Sequence, residues 1–248
     1  MATIADTPAA KTSAERRFYS WMAIGLVVLV FLGFAPSFYL KDIVPAYPRP
    51  NPSLPPSVLL HGLLFTLWML VFVVQTQLVA NRRVDLHMKL GRASMILALV
   101  IIPMMYLVGM WQVERANQPP FTDPLNWTIV PLAVIFPYAV MVWTGWSRRR
   151  QAPWDKRAML GAAILVVAGP GIGRLPIAPP TLGGFAFQML LGLALFIPLM
   201  LWDRRSSGRV HPATWLGFAM GAVSVFVPLA FLATGSWAPI ARHLPGVG

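Results

Sequence analysis

The chain has 248 residues, of which 57% are hydrophobic and only 11% are charged, and it contains no cysteine. Soluble domains carry roughly 25% charged residues, so this composition is typical of a membrane protein. The lack of thiols excludes disulfides, thiolate metal sites and cysteine nucleophiles. The net charge of +12 would indicate nucleic acid in a soluble domain. Its distribution along the chain instead predicts contact with lipid and no nucleic-acid partner.

Seven apolar runs free of Asp, Glu, Lys and Arg follow one another along the chain. A helix needs about 20 apolar residues to cross a bilayer. We therefore predict an all-α bundle of seven transmembrane helices over residues 18–237, with a disordered cytoplasmic tail at 1–17 and an external tail at 238–248. The runs are Phe18–Leu40, Val58–Ala80, Ala93–Val113, Trp127–Trp146, Ala158–Gly173, Gly184–Trp202 and Ala213–Trp237.

Basic residues are concentrated before the first run and in every second gap between runs. Of the 20 Lys and Arg residues, only Lys41, Arg49, Arg115, Arg174 and Arg242 lie on the opposite side. The positive-inside rule then predicts a cytoplasmic N-terminus and an external C-terminus in a multi-pass protein of a bacterial inner membrane. The basic face is expected to touch anionic lipid head groups.

A weak internal repeat relates Asp85–Gly91 to Asp155–Gly161, since both segments lead a basic loop into a helix and end in Leu-Gly. One interpretation is a leading helix followed by three helical hairpins. The alternative is that Leu-Gly after a basic loop is merely a common way to enter a membrane span. Prolines inside the spans also predict kinked helices.

Few side chains carry chemistry. No carboxylate lies within a run, and neither HExxH nor GxSxG occurs, so the sequence leaves open whether the protein is an enzyme. His61, Trp68 and Gln75 follow one another at seven-residue steps and share a helix face, which we expect to point into the bundle. His61 is a candidate haem ligand or quinone contact, with Gln75 as polar support. The alternative is an ordinary interhelical hydrogen bond.

His87 and His211 lie at the cytoplasmic rim, where spans three and seven begin. Two neutral imidazoles from different helices can ligate one b-type haem iron, which makes these residues candidate metal ligands. Arg83 and Arg209 are candidates to hold the haem propionates. The alternative is that each histidine caps a helix or meets a lipid phosphate.

The segments Leu60-His61-Gly62, Val84–Gly91 and Arg209–Thr214 resemble those of a family of bacterial multi-pass membrane proteins, and this resemblance covers most of the chain but brings no assigned activity. A remoter similarity is to the cytochrome b561-like dihaem proteins, in which histidine pairs on neighbouring helices bind haem near each membrane face. The chain departs from that pattern, because it offers one inner pair and a single outer histidine inside a helix.

The most concrete functional prediction is therefore a membrane protein that binds haem b and passes electrons, with quinone as a possible partner. Two other classes stay open. One is a non-catalytic accessory subunit or scaffold of a membrane complex. The other is a passive carrier of an apolar small molecule.

Overall fold

The computed structural model describes residues 8–41, 43 and 53–246 of the chain, and every regular element within them is helical. The all-α prediction is thus confirmed. The helices are α1 (Pro8–Phe34), α2 (Pro56–Ala80), α3 (Val84–Arg115), α4 (Pro124–Trp127), α5 (Ile129–Ala133), α6 (Ile135–Ser147), α7 (Ala152–Ala163), α8 (Gly169–Ile172), α9 (Leu182–Ala194), α10 (Ile197–Ser207), α11 (Pro212–Thr234) and α12 (Ala238–Ala241). Two π-helical turns, Ala35–Tyr39 and Ile164–Ala168, continue α1 and join α7 to α8.

Within the described residues, six helical stretches are long and apolar enough to cross a membrane: Thr12–Tyr39, Pro56–Ala80, Val84–Arg115, Pro124–Ser147, Leu182–Ser207 and Pro212–Thr234. They match six of the seven predicted spans. The predicted span Ala158–Gly173 lies in a continuous helical path from α7 to α8, but it is not one of the six. Its apolar run is the shortest, and charged residues precede it directly.

Helix α1 begins ten residues before the predicted first span. Residues 8–17, predicted as part of a disordered tail, are helical, whereas residues 1–7 lie outside the described part of the chain. Near its start Glu15 forms an ion pair with Lys156 of α7. This contact ties the first turns of α1 to the bundle.

Prolines explain most breaks in the long helices. A proline has no N–H and its ring clashes with the preceding turn, so the helix deforms just before it. The irregular residues Thr128, Val134 and Leu195 each lie three positions before a proline. Pro36 lies within the first π-helical turn, and Pro170 follows the second by two residues. Pro103 and Pro228 are tolerated within α3 and α11.

Apolar side chains cover the outside of the bundle as well as its core. On α2, the residues Leu59, Leu63, Leu67, Leu70 and Val74 form an exposed stripe, while the opposite face is buried. A helix that is apolar all round requires an apolar solvent. This pattern supports a lipid environment independently of helix length.

Two glycines allow a close crossing of α1 and α8. A Cβ atom on Gly33 would lie 2.1 Å from the carbonyl oxygen of Gly171, so no larger residue fits without moving the backbone. Helix α1 also packs along α2, and α11 packs on α7 and α9. The span formed by α4, α5 and α6 contacts both α3 and α11.

The bundle has two distinct ends. At the end we call the basic end, the ion pair Glu15–Lys156 joins α1 to α7. At the opposite end, Lys41, Leu54 and residues of the loops 117–121 and 173–181 meet around a cavity, and we call this the cavity end. The C-terminal segment also lies there, since Trp237 Nε1 donates to Thr128 Oγ1 at 2.8 Å and Ala238 N–H donates to Asn126 Oδ1 at 2.8 Å.

Candidate functional site

A cavity of about 1030 Å³ opens among the loops of the cavity end and reaches the middle of the bundle at Phe196 and Val225. Ligand sites of drug-sized molecules usually enclose about 300–1,000 Å³, so this space is large enough for a substantial ligand. Most of its lining is apolar, with aromatic side chains that include Phe65, Phe121 and Trp127.

His61 lies in the wall of this cavity, about one turn into α2. Its ring packs on Phe65 with a centroid distance of 4.3 Å. Its Nδ1 atom is buried and has no hydrogen-bond partner within the described part of the chain. A buried polar atom without a partner costs about 1–3 kcal/mol. The structure thus places His61 beside a cavity, not in contact with His87 or His211.

Two further polar atoms in the same wall are buried without a partner among the described residues. They are Nε2 of Gln112, near the end of α3, and Oε1 of Gln118, in the following loop. One such atom is unremarkable, but here three residues that line a single cavity each carry one. No signal in the sequence links Gln112 and Gln118 to His61, because the three residues converge only through the loop geometry.

Other polar side chains of the cavity are already engaged. Thr66 donates to the Gly62 carbonyl at 2.7 Å and shares a 2.8 Å hydrogen bond with Tyr39. Gln188 Nε2 donates to the carbonyls of Ile172 and Leu175 at 3.2 and 2.8 Å. These bonds fix the cavity wall and connect α9 to the segment after α8.

A second polar cluster lies at the basic end, around a buried ion pair. Arg157 of α7 donates to Asp203 Oδ1 from Nε at 2.8 Å and from Nη2 at 2.5 Å, and the two side chains are 5% and 0% exposed. The other oxygen of Asp203 accepts from Thr214 Oγ1 at 2.5 Å and from His211 N–H at 3.0 Å. The four hydrogen bonds to the Asp203 carboxylate join α7 and α11 to α10, and we call this cluster the Asp203 clamp.

Sequence reasoning missed this clamp. Asp203 directly follows the predicted sixth span and stands next to Arg204 and Arg205, which is typical of a solvated loop. The structure instead continues the helix to Ser207 and buries the carboxylate. The sequence did contain one signal: Asp203 is an acid at the end of one predicted span, and Arg157 is a basic residue directly before another.

The structure gives His211 a capping role. Its Nδ1 accepts from Ala213 N–H at 3.1 Å as the N-cap of α11, and its ring packs edge-on against Trp154 at 5.1 Å. Burial, followed by the positive charge of Arg157, lowers the pKa of His211 below its ordinary value. This shift favours the neutral form of the ring. Arg209, a predicted propionate partner, is exposed.

His87 meets Gln75 of α2. When the Gln75 amide is oriented with its nitrogen toward α3, it donates to His87 Nδ1 and to the His87 carbonyl at 3.2 Å, and its oxygen accepts from Gly91 N–H at 2.8 Å. Gln75 thus supports His87 at the basic end, not His61 at the cavity end. Arg83 lies 3.9 Å from Asp85, and both side chains are largely exposed.

The two predicted haem ligands contact different parts of the bundle. His87 bonds to α2, whereas His211 contacts α7, α10 and its own helix, and the described contacts of the two rings share no residue. Each Nδ1 accepts a hydrogen bond, so each neutral ring carries its proton on Nε2. Histidines that ligate a metal through Nε2 usually donate from Nδ1. Haem ligation by this pair stays a prediction. It requires both rings to give up the hydrogen bonds that their Nδ1 atoms accept.

Among the described residues, no group of three or more His, Asp or Glu side chains is arranged to hold a metal ion. A comparison with protein families, with curated proteins and with solved structures finds no match for this chain.

Proposed function

We propose that this chain is an integral membrane protein that binds an amphiphilic small molecule, with an apolar body and a polar head, in the cavity lined by His61. The observation that carries the proposal is that three residues lining one largely apolar cavity each have a buried polar atom without a hydrogen-bond partner among the described residues. The apolar walls favour a hydrocarbon or aromatic body through the hydrophobic effect. The polar atoms favour a head with hydrogen-bonding groups. A quinone or a lipid meets both requirements.

The topology we propose has seven spans, with the path Ala158–Gly173 as the fifth. It is supported by the contacts at the two ends of the chain. Glu15 reaches the basic end, while Trp237 reaches the cavity end, and only an odd number of crossings separates them in this way. Adding the α7–α8 path to the six long apolar stretches gives seven.

The orientation we propose follows from charge. Fifteen of the 20 basic residues lie before the first apolar run or in the gaps that lead into α3, α7 and α11, and the positive-inside rule assigns that side to the cytoplasm. The cavity then opens toward the outer face of a bacterial inner membrane. A molecule entering from the outer leaflet would reach it without crossing the bilayer, which suits a carrier or a receptor for a membrane-soluble compound.

The test uses decylubiquinone, a neutral short-chain quinone, as the probe. Quinones quench tryptophan fluorescence, and Trp127 lines the cavity. The purified protein in lipid nanodiscs should show saturable quenching, and part of it should vanish in Trp127→Phe. His61→Leu removes one hydrogen-bonding group and should weaken binding roughly 2- to 12-fold, as expected for a hydrogen bond of about 0.5–1.5 kcal/mol.

His87→Leu is the matched control, because it makes the same exchange at the other end of the bundle. It should leave the probe affinity unchanged. Quenching that is unaffected by both Trp127→Phe and His61→Leu would show that the quinone merely partitions into the bilayer, and the proposed function would then fail.

A further inference from the structure

We infer that the basic end carries a specific site for the phosphate of an anionic lipid, built from Arg148, Arg209 and His211. The ring of Trp154 holds the site together. It lies in the segments 148–151 and 208–211, which join α6 to α7 and α10 to α11, and it is separate from the cavity. The inference goes beyond general contact between a basic face and lipid, because it assigns one lipid to defined side chains.

Three side chains stack at the start of α7, with Trp154 between the other two. The guanidinium of Arg148 lies over the Trp154 ring, 3.7 Å from its centroid. The His211 ring packs edge-on against the same side chain, with 5.1 Å between ring centroids. Arg148 and His211 belong to different loops but contact one residue. The stack therefore holds a guanidinium close to an imidazole.

His211 presents a hydrogen-bond donor to this site. Its Nδ1 atom accepts from Ala213 N–H at 3.1 Å, so the neutral ring carries its proton on Nε2. The ring is half-buried, and within the described part of the chain Nε2 has no hydrogen-bond partner. Haem ligation by His211 would use the same Nε2 atom without its proton, so the two interpretations exclude each other.

The charge around the stack is positive and mostly unpaired. Arg157 is neutralised by Asp203 and Lys156 by Glu15. The one other acid after residue 123 is Asp155, and burial raises its pKa to about 6, so it ionises less readily than an ordinary aspartate. The two loops and the end of α10 also contain six exposed arginines for which the structure describes no ion pair: Arg148, Arg149, Arg150, Arg204, Arg205 and Arg209.

Several of these cations act on the His211 ring. Burial is the main cause of its lowered pKa, and the positive charges of Arg157, Lys156 and Arg209 lower the pKa further, while Asp203 raises it. An anion bound at Nε2 would offset the repulsion between these cations.

Helix dipoles and solvation are the competing explanations. The helices α6 and α10 end at these loops, whereas α7 and α11 begin there, so their partial charges offset one another and do not require the arginines. A purely solvated basic face would leave its arginines without fixed neighbours. Arg148 instead lies on an aromatic ring, which positions the guanidinium but leaves its five N–H donors without an acceptor among the described residues. A phosphate matches that donor geometry.

The surroundings of the stack favour a lipid as the source of the phosphate. Trp143 of α6 and Trp215 of α11 lie near it in the chain, and 69% and 49% of their surfaces are exposed. Exposed tryptophans are enriched at the depth of the lipid head groups. A phosphate at the bilayer surface would therefore meet Arg148 and His211 without leaving the membrane.

The experiment compares two lipids with the same acyl chains, anionic dioleoyl phosphatidylglycerol and zwitterionic dioleoyl phosphatidylcholine. Binding to the full-length protein in detergent is counted by native mass spectrometry and quantified by titration. We expect the first binding event of phosphatidylglycerol to be roughly 5-fold or more tighter than that of phosphatidylcholine, because hydrogen bonds to an uncompensated anion are the stronger ones. Soluble glycerol phosphate, added as a competitor, separates a free phosphate from a lipid head group.

Two variants remove the proposed contacts one at a time. Arg148→Gln removes an exposed charge, and His211→Asn removes the Nε2 donor while keeping a favoured N-cap residue for α11. Each should lower the affinity for phosphatidylglycerol by roughly 3- to 10-fold and leave that for phosphatidylcholine nearly unchanged. The matched control is Arg82→Gln, an exposed arginine in the turn between α2 and α3, which should change neither affinity.

Three results would overturn the inference. Phosphatidylglycerol that binds no more tightly than phosphatidylcholine would exclude an anion site. An equal loss of affinity in Arg82→Gln and Arg148→Gln would show general attraction to a basic face. Displacement of phosphatidylglycerol by glycerol phosphate at a comparable concentration would show that the site takes a free phosphate and that the lipid assignment is wrong. Quinone quenching in the His61 cavity should be unchanged in Arg148→Gln, so this test and that of the proposed function succeed or fail separately.

Discussion

Asp203→Asn should be one of the most destabilising conservative changes in this protein. The change keeps the size of the side chain but removes the negative charge that neutralises Arg157, whose side chain is only 5% exposed. Breaking a buried ion pair by removing one partner costs about 3–5 kcal/mol, since the remaining charge is left uncompensated in a medium of low polarity. We expect the lower half of that range, because the amide oxygen of asparagine can still accept from Thr214 Oγ1 or His211 N–H.

The free energy of unfolding is measured by reversible denaturant titration of the detergent-solubilised protein, followed by tryptophan fluorescence. The control is Glu15→Gln, which breaks the ion pair to Lys156 at the same end of the bundle. Those side chains are 34% and 25% exposed, and ion pairs near the surface contribute only about 0–1 kcal/mol. The contrast between the two variants isolates the effect of burial.

A double variant tests the mechanism. Arg157→Met removes the orphaned charge, so Arg157→Met/Asp203→Asn should be more stable than Asp203→Asn alone, although two residues have been changed. The reasoning is refuted if the double variant is less stable than the single one. It is also refuted if Asp203→Asn costs no more than Glu15→Gln.

Three further predictions address topology, haem and pH. A reporter fused after residue 150 should be cytoplasmic and one fused after residue 248 external; a shared side would show that the span count is wrong by one. The haem hypothesis requires purified protein to change its visible absorption spectrum on reduction and to lose that signal in His87→Leu or His211→Leu; a spectrum without a Soret band would contradict it. Burial disfavours the charged form of Asp123, but hydrogen bonds from Asn126 outweigh this and lower its pKa below the ordinary 3.8. Asp123 caps α4, so Asp123→Ala should cost about 0.5–2 kcal/mol at pH 7. Because the folded pKa is depressed, that difference should persist above pH 3.8 and disappear as the pH falls through the folded pKa, as pH-dependent unfolding can show.

Hydrophobicity alone predicted the long helices, because each must be apolar over a fixed length whatever its neighbours are. The prolines predicted several of the breaks: Pro131, Pro137 and Pro198 each have an irregular residue three positions earlier, whereas α3 and α11 continue through Pro103 and Pro228. The sequence did not predict that residues 8–17 are helical. The contact that holds them, Glu15 to Lys156, joins residues far apart in the chain, which no local pattern reveals.

The candidate site was harder to predict for the same reason. The seven-residue spacing correctly grouped His61, Trp68 and Gln75 on one helix face, but residues on one face of a long helix lie at different depths. Gln75 meets His87 at one end, and His61 borders the cavity at the other. The spacing suggested a single site because it shows which side chains point in the same direction. It does not show which residues those side chains contact.

The close crossing of Gly33 and Gly171 bears on how the protein is made. The two glycines are separated by more than half of the chain, and at a synthesis rate of ~5–20 residues per second the second emerges roughly 7–28 s after the first. During that interval the first helix can pair with the second, but its glycine face has nothing to pack on. The cavity wall contains residues from both halves of the chain, so it closes only at the end of biogenesis. Until then its polar atoms face the translocation machinery or lipid, and a chain truncated before Gly171 should insert into the membrane yet remain a substrate for quality-control proteases.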